Sequence, residues 1–315
     1  MSIAISGIHH VTAISGSPQG TVDFYAGVLG MRLVKRTVNF DDPGTYHLYF
    51  GDDTGSPGTL VTFFPWGDAS RGRGGTGQVN VMSLSIPQAS LGWWLERLVA
   101  RGIPHEGPVK RFGEQVISFR DQDGIALELV AHPRAAERAA WSFDGTSVPA
   151  EHAIRGLHAI TLWVDTVAPT AALLTATMGF RAGGSEGATH RFVTGSGGPG
   201  AIVDVRETHG FPRGVMGIGT VHHIAWRVPG DDAELASRAE LTAAGAHVTP
   251  VRDRQYFHSI YFHEPGGVLF EIATDIPGFL IDEPTATLGT ALKLPPWLES
   301  ARATIEPALP PLHAP

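Results

Sequence analysis

The sequence predicts an α+β fold made of four βαβββ units. Three observations carry that prediction. A short strand led by glycine recurs four times, as Gly7-Ile8-His9-His10, Gly77-Gln78-Val79-Asn80, Gly156-Leu157-His158-Ala159 and Gly219-Thr220-Val221-His222. Each is followed by a stretch with apolar residues at helical spacing, over residues 21–29, 91–100, 168–178 and 233–243. Short strands separated by turn signals then complete the unit, and such recurrence marks a repeat architecture.

Taken in order, the first helix closes at Gly30 and the third at Gly179, while Gly102 and Gly245 follow the other two closely. Glycine there is a helix-stop signal. In unit two, strands over 116–119 and 125–130 flank the turn Asp121-Gln122-Asp123-Gly124. In unit four, strands are expected over 248–252, 258–262 and 268–273, the last two joined by His263-Glu264-Pro265-Gly266-Gly267. The expected organisation is units one and two over residues 1–135, units three and four over 155–275, and a proline-rich tail over 276–315. Residues 133–155 read as a linker. The tail is expected to pack across the body and to hold a short helix around 297–305.

Composition narrows the function. The chain has 315 residues, with 43% hydrophobic and 17% charged residues, ordinary for a globular protein. A net charge of −8 argues against a nucleic-acid partner. Cysteine is absent, so disulfides, thiolate chemistry and Cys-based zinc sites are excluded. No basic segment leads an apolar stretch at the N-terminus, and no apolar run approaches about 20 residues. A cytoplasmic protein without a membrane span is the expectation.

The chemistry-bearing residues are His10, His223 and Glu271. Two imidazoles and one carboxylate are the facial set that binds non-heme Fe(II) and leaves positions open for substrate and O2. Adjacent strand residues face opposite sides of a sheet, so His9 and His10 should not both face one metal. Repeat alignment chooses between them. The first position reads His9, Asn80, His158 and His222, polar in every unit, which suggests a structural role at the strand start. The second reads His10, Val81, Ala159 and His223, histidine only in units one and four. The face of His222 continues as Ile224, Trp226 and Val228, expected to lie under helices; small Ala225 and Thr12 continue the other face, suited to a cavity inside a curled sheet.

Glu271 lies between apolar Phe270 and Ile272, and burying a carboxylate requires a cation or a metal. Its counterparts are Thr62, Glu128 and Asp204. One metal site built from units one and four is the economical reading. A lone strand histidine is more often a hydrogen-bonded core residue than a ligand; recurrence at one repeat position, together with Glu271, outweighs that. Glu128 and Asp204 are read as ion-paired structural carboxylates. His47, His105, His132, His152, His190, His209, His247, His263 and His313 are read as ordinary.

With these motifs the chain resembles the vicinal oxygen chelate (glyoxalase, bleomycin resistance, dioxygenase) superfamily, and more narrowly the hydroquinone ring-cleaving dioxygenases. The most specific stretches are Gly7-Ile8-His9-His10-Val11-Thr12, Asp253-Arg254-Gln255-Tyr256-Phe257, Ser259-Ile260-Tyr261-Phe262, Phe270-Glu271-Ile272-Ala273-Thr274-Asp275 and Leu294-Pro295-Pro296-Trp297. The resemblance implies two curled mixed sheets, and Fe(II) on His10, His223 and Glu271, with Mn(II) or Zn(II) as other occupants. It also implies supporting roles for His9, Thr12, His222, Arg254 and Tyr261. Tyr261 has geometric support as well: a hairpin turning near Pro265-Gly266 sets it opposite Phe270 or Glu271. Arg254 would hold an anionic oxygen.

The implied activity is extradiol-type cleavage of a para-dihydroxylated aromatic ring with O2, in aromatic catabolism. The partners are then a small aromatic diol and O2, with oligomeric state left open. One rival is a glyoxalase-like isomerase or lyase, which in this fold uses a fourth protein ligand. Threonine at position 62 leaves that place open. The other is a metal-free binding (resistance) protein, against which retention of all three ligands counts.

Overall fold

Among the described residues, period-2 apolar runs and glycine punctuation yield sixteen strands, four per unit. Unit one contributes β1 (Ile8–Ser15), β2 (Arg32–Asn39), β3 (Asp42–Gly51) and β4 (Leu60–Pro65), and unit two β5 (Gln78–Pro87), β6 (His105–Arg111), β7 (Glu114–Arg120) and β8 (Ala126–His132). Unit three contributes β9 (Leu157–Val164), β10 (Arg181–Glu186), β11 (Thr189–Val193) and β12 (Ile202–Glu207), and unit four β13 (Thr220–Val228), β14 (Arg252–Asp253), β15 (Phe257–His263) and β16 (Leu269–Pro277). The computed structural model describes residue 3, residues 5–141, residue 143 and residues 145–313.

Pairing follows one rule in every unit. The first strand runs parallel to the last, and the remaining neighbours are antiparallel. First strands then join units in antiparallel fashion, β1 to β13 and β5 to β9. The result is two eight-stranded mixed sheets. One has the order β14-β15-β16-β13-β1-β4-β3-β2, from units four and one; the other has β10-β11-β12-β9-β5-β8-β7-β6, from units three and two. Chain neighbours therefore do not share a sheet across the first boundary. Unit one waits for unit four.

The helices differ in detail from expectation. Helix α1 (Pro18–Val22) starts three residues early, because Ser17 caps it by accepting from the N–H of Gly20 and Pro18 occupies the first turn. It continues as a π-helical turn over Asp23–Val28. Unit three repeats the device, α3 (Val167–Ala172) passing into Leu173–Thr177. Helices α2 (Leu91–Ala100) and α4 (Asp231–Ala243) are regular. Gly30 has φ +71°, and a Cβ there would meet the Val148 side chain at 2.4 Å, so the linker can pack on this turn only if the side chain is absent.

The linker is tied down. Trp94 of α2 donates to the carbonyl of His152 at 2.9 Å, and Arg138 donates to the carbonyls of Gly58 and Leu157. Strand β14 is shorter than the expected 248–252. The Thr249 hydroxyl accepts the N–H of Tyr261 at 3.0 Å, taking a place the backbone ladder would use.

The tail crosses β2 and β3. Its helix α5 (Arg302–Ala308) lies slightly later than expected. Lys35, fully buried, contacts Asp282 at 2.6 Å and also Glu283, and the Tyr46 hydroxyl donates to the carbonyl of Pro310. Among the described residues no helix is long and apolar enough to cross a membrane.

Candidate metal centre

The seam between β1 and β13 is irregular at two points. Ile8 faces Trp226 and His10 faces Ala225; Thr12 faces His223 and Ala13 faces Val221. His9 and His222 are the extra residues, so each is a β-bulge. The other sheet repeats this at Asn80 and His158. All four positions that the repeat alignment marks as polar are bulges. A bulge leaves its residue out of the ladder and re-aims its side chain, which suits a polar residue.

The bulges correct the expectation for His222. Simple alternation would turn it to the helix-covered side. It instead lines the same cavity as His223, with its ring edge against Trp66 and Phe64. The ring of His9 likewise stays beside that of His10, 5.1 Å between centroids, and packs on Phe257. The two histidines of each pair meet nitrogen to nitrogen: His9 Nδ1 to His10 Nδ1 at 2.9 Å, and His222 Nδ1 to His223 Nδ1 at 2.7 Å.

These contacts fix the outward nitrogens. Nε2 of His10 and Nε2 of His223 are 3.3 Å apart. Glu271 Oε2 lies 2.8 Å from His223 Nε2 and 3.4 Å from His10 Nε2. Ligand bonds of about 2.0–2.2 Å at 90–109° would separate donor atoms by about 3.0–3.4 Å, so the three atoms stand at coordination spacing. Glu271 is wholly buried. Its Oε1 accepts from the Ser259 hydroxyl, while Oε2 has no partner with hydrogen-bonding geometry among the described residues. An unpartnered buried carboxylate oxygen beside two imidazole nitrogens fits a cation.

Protonation suits the same reading. Burial alone would raise the Glu271 pKa, but the His10 and His223 rings hold it well below the ordinary carboxylate range. Burial lowers His223 despite Glu271, and it lowers His222 to about 3, helped by His223. His9 is also lowered, by burial and His10. A neutral His223 imidazole and an ionised Glu271 carboxylate are forms that coordinate metals. A metal on Nε2 would leave His10 and His223 each donating Nδ1–H to the neighbouring bulge histidine. His9 in turn hydrogen-bonds the main chain of Thr274.

The three residues sit on the floor of a cavity of about 430 Å³, within the range of small-molecule sites. Tyr261 faces Glu271 directly across β15 and β16, as the hairpin argument expects. Its hydroxyl accepts from Arg254 Nε at 3.2 Å, and Arg254 also pairs with Asp41 at 2.9 Å. Burial and the Glu271 charge raise the Tyr261 pKa, keeping the phenol protonated. Phe64 and Trp66 stack at 5.7 Å and 10° to form an aromatic wall.

Thr12 lies beneath, its hydroxyl 2.8 Å from that of Thr62. Thr62 pairs with Thr12 in the register by which Glu271 pairs with Ala225, so threonine does occupy the carboxylate position of unit one. His47, read from sequence as ordinary, lines the cavity. Its Nε2 is 2.9 Å from the Thr62 hydroxyl and its Nδ1 2.8 Å from the Tyr49 hydroxyl. The alternation His47-x-Tyr49 on β3 was the available signal. Ser259, two residues from Tyr261 on the same face, was missed in the same way. In the other sheet Glu128 is paired by Arg111, and Asp204 by Arg191 at 2.8 and 2.9 Å, leaving neither free.

A model of the Glyoxalase/Bleomycin resistance protein/Dioxygenase superfamily matches residues 7–129 and 156–272. The chain belongs to this superfamily. The "Putative ring-cleaving dioxygenase MhqO" of Bacillus subtilis (strain 168) is 48% identical over 307 residues, covering 98% of this chain and 96% of that protein. The "Chlorohydroquinone/hydroquinone 1,2-dioxygenase" of Sphingobium indicum is 34% identical, covering 95% and 94%. A crystal structure of a "putative dioxygenase" from Bacillus subtilis superposes with a TM-score of 0.94 at 46% identity, covering 100% of this chain and 99% of that one. The relatives that are 48% and 34% identical to this chain over nearly its full length both carry dioxygenase names.

Proposed function

We propose that the protein is a metal-dependent ring-cleaving dioxygenase acting on hydroquinone-type rings, with extradiol-type cleavage beside a hydroxyl-bearing carbon. His10, His223 and Glu271 would hold Fe(II). The observation that carries the reading is the unpartnered Glu271 Oε2 converging with two Nε2 atoms on a cavity floor. The superfamily membership and the names of the relatives support the reaction class. When bound, the metal would supply the site at which a ring hydroxyl and O2 meet.

The chain's own residues do the rest. The Phe64–Trp66 wall orients a flat ring. Arg254 is held by Asp41 and Tyr261 and keeps a positive charge over the cavity, where an ionised ring oxygen is favoured. The Tyr261 hydroxyl accepts from Arg254 and has its own proton to donate to a substrate oxygen. His222 uses Nδ1 toward His223, so its Nε2–H remains as a hydrogen-bond donor at the cavity wall. Phe257 covers both His9 and His10 and keeps water from that side. Thr62, in place of a carboxylate as fourth ligand, leaves room for two exogenous oxygens and disfavours isomerase chemistry.

The test is anaerobic Fe(II) reconstitution followed by oxygen uptake across a panel of hydroquinones and catechols, with mass analysis of the product. One O2 consumed per hydroquinone opened is expected, with the product mass giving the bond cleaved. Metal uptake without oxygen consumption on any diol would overturn the assignment.

A further inference from the structure

We propose that Glu114, His132 and His158 form a second divalent-metal site, in the sheet of units two and three, for a borderline ion such as Zn(II). Each offers one donor atom, and the three lie within 4.8 Å of one another. His132 and His158 are 2% and 1% exposed, with ring centroids 4.6 Å apart. Glu114 Oε2 lies 3.1 Å from His158 Nε2, close to the spacing of Glu271 and His223 in the first centre. Two imidazoles and one carboxylate are a set that zinc accepts, with open positions for water.

The repeat explains how the site arises where its counterpart in the first sheet has none. In β1 and β13 the bulge histidine hydrogen-bonds the histidine that follows it. In β9 the residue after the bulge is Ala159, which has no nitrogen to offer. His158 is thereby free of that pairing and meets His132, at the end of β8, and Glu114, at the start of β7. Its Nε2 faces Glu114, and its Nδ1 is buried with no hydrogen-bond partner among the described residues. Ser85 Oγ, 2.8 Å from His132 Nε2, orients the second ring.

A second cavity of about 430 Å³ reaches the carboxylate of the set, being lined by Glu114, Ala131 and Pro133. Two features weaken the site relative to the first. Arg191 Nη1 also reaches Glu114 Oε2, at 3.2 Å, and would compete for it. No outer acceptor holds His158 Nδ1, and loss of such a partner weakens metal binding by about 10–100-fold. A bound ion would tie β7, β8 and β9 together and so cross-link units two and three.

Metal-stripped protein should be titrated with Zn(II) by equilibrium dialysis and by thermal unfolding. The wild type should bind two equivalents, the second about 10–100-fold more weakly. Glu271→Ala should keep the weaker equivalent and a Zn(II)-induced rise in Tm. His158→Asn, which places at this bulge the residue unit two has at Asn80, should keep the tight equivalent and lose the weak one. His132→Gln should behave as His158→Asn does, and stands in for it should that variant not fold. Failure of the first centre alone would leave the weak equivalent in the wild type, so the two assignments are separable. One equivalent in the wild type beside an empty Glu271→Ala, or a second equivalent that survives both His158→Asn and His132→Gln, would overturn the proposal.

Discussion

The hydrogen bond from His223 to His222 gives the sharpest quantitative prediction. His222 Nδ1 lies 2.7 Å from His223 Nδ1, with the rings at 82°. It accepts the proton that orients the ligand ring and fixes which nitrogen faces Glu271. His222→Leu keeps the bulk and removes the acceptor. Losing a partner of this kind costs about 10–100-fold in metal affinity, or about 1.4–2.8 kcal/mol. His222→Asn should restore most of that loss, because an amide oxygen can stand where Nδ1 stood. Asn80 already occupies the equivalent bulge in unit two, so the backbone tolerates it. The assay is competition for Co(II) or Fe(II) against a chromophoric chelator under anaerobic conditions, with thermal unfolding as the fold control. Wild-type affinity in His222→Leu would refute the argument that the bulge histidine orients the ligand.

Three further outcomes follow from other parts of the molecule. Tyr261→Phe removes only a hydroxyl and should keep the metal while lowering turnover on the order of 100-fold, if the phenol acts in proton transfer; unchanged steady-state kinetics would return it to the core. Lys35→Met should destabilise the fold by about 3–5 kcal/mol in chemical denaturation, since it strands Asp282 and Glu283 without their buried cation, and a change below about 1 kcal/mol would show that the tail is not anchored there. Glu234 is buried in the first turn of α4 with both oxygens unpartnered among the described residues, and burial pushes its pKa up to about 7. Its folded pKa is above the unfolded one, so its stability contribution is full below the unfolded carboxylate value and is lost as pH rises through about 7. Glu234→Gln should therefore match the wild type near about pH 4 and exceed it by on the order of 1 kcal/mol near about pH 8, allowing for the helix terminus that favours the anion; equal stability at both would count against the burial argument.

Much of the architecture was legible in the chain because the unit repeats. Glycine-led strands and helical spacing locate the units, and histidine at the second position of only the first and last pairs links units one and four, 213 residues apart at His10 and His223. The carboxylate register was also legible: Thr62, Glu128, Asp204 and Glu271 each pair with the residue two after the ligand position. The bulges were not. Strict alternation is the default for a strand, and nothing local to His9 or His222 announces an extra residue. Only the polar character shared by four repeat positions hinted at it. His47 and Ser259 were missed because strand pairing, beyond the weak local alternation, is what brings His47 to the cavity and Ser259 to Glu271. The crossing tail depends on Lys35 meeting Asp282 and Glu283, a contact between distant segments that neither one signals alone.

The most direct measurement is diffraction at the metal edge from crystals loaded anaerobically with Fe(II) or Mn(II). A single strong anomalous peak about 2.0–2.2 Å from His10 Nε2, His223 Nε2 and Glu271 Oε2 is the predicted result. A peak held by other residues, with His10 and His223 still hydrogen-bonded to His9 and His222 but without a metal between them, would contradict the account.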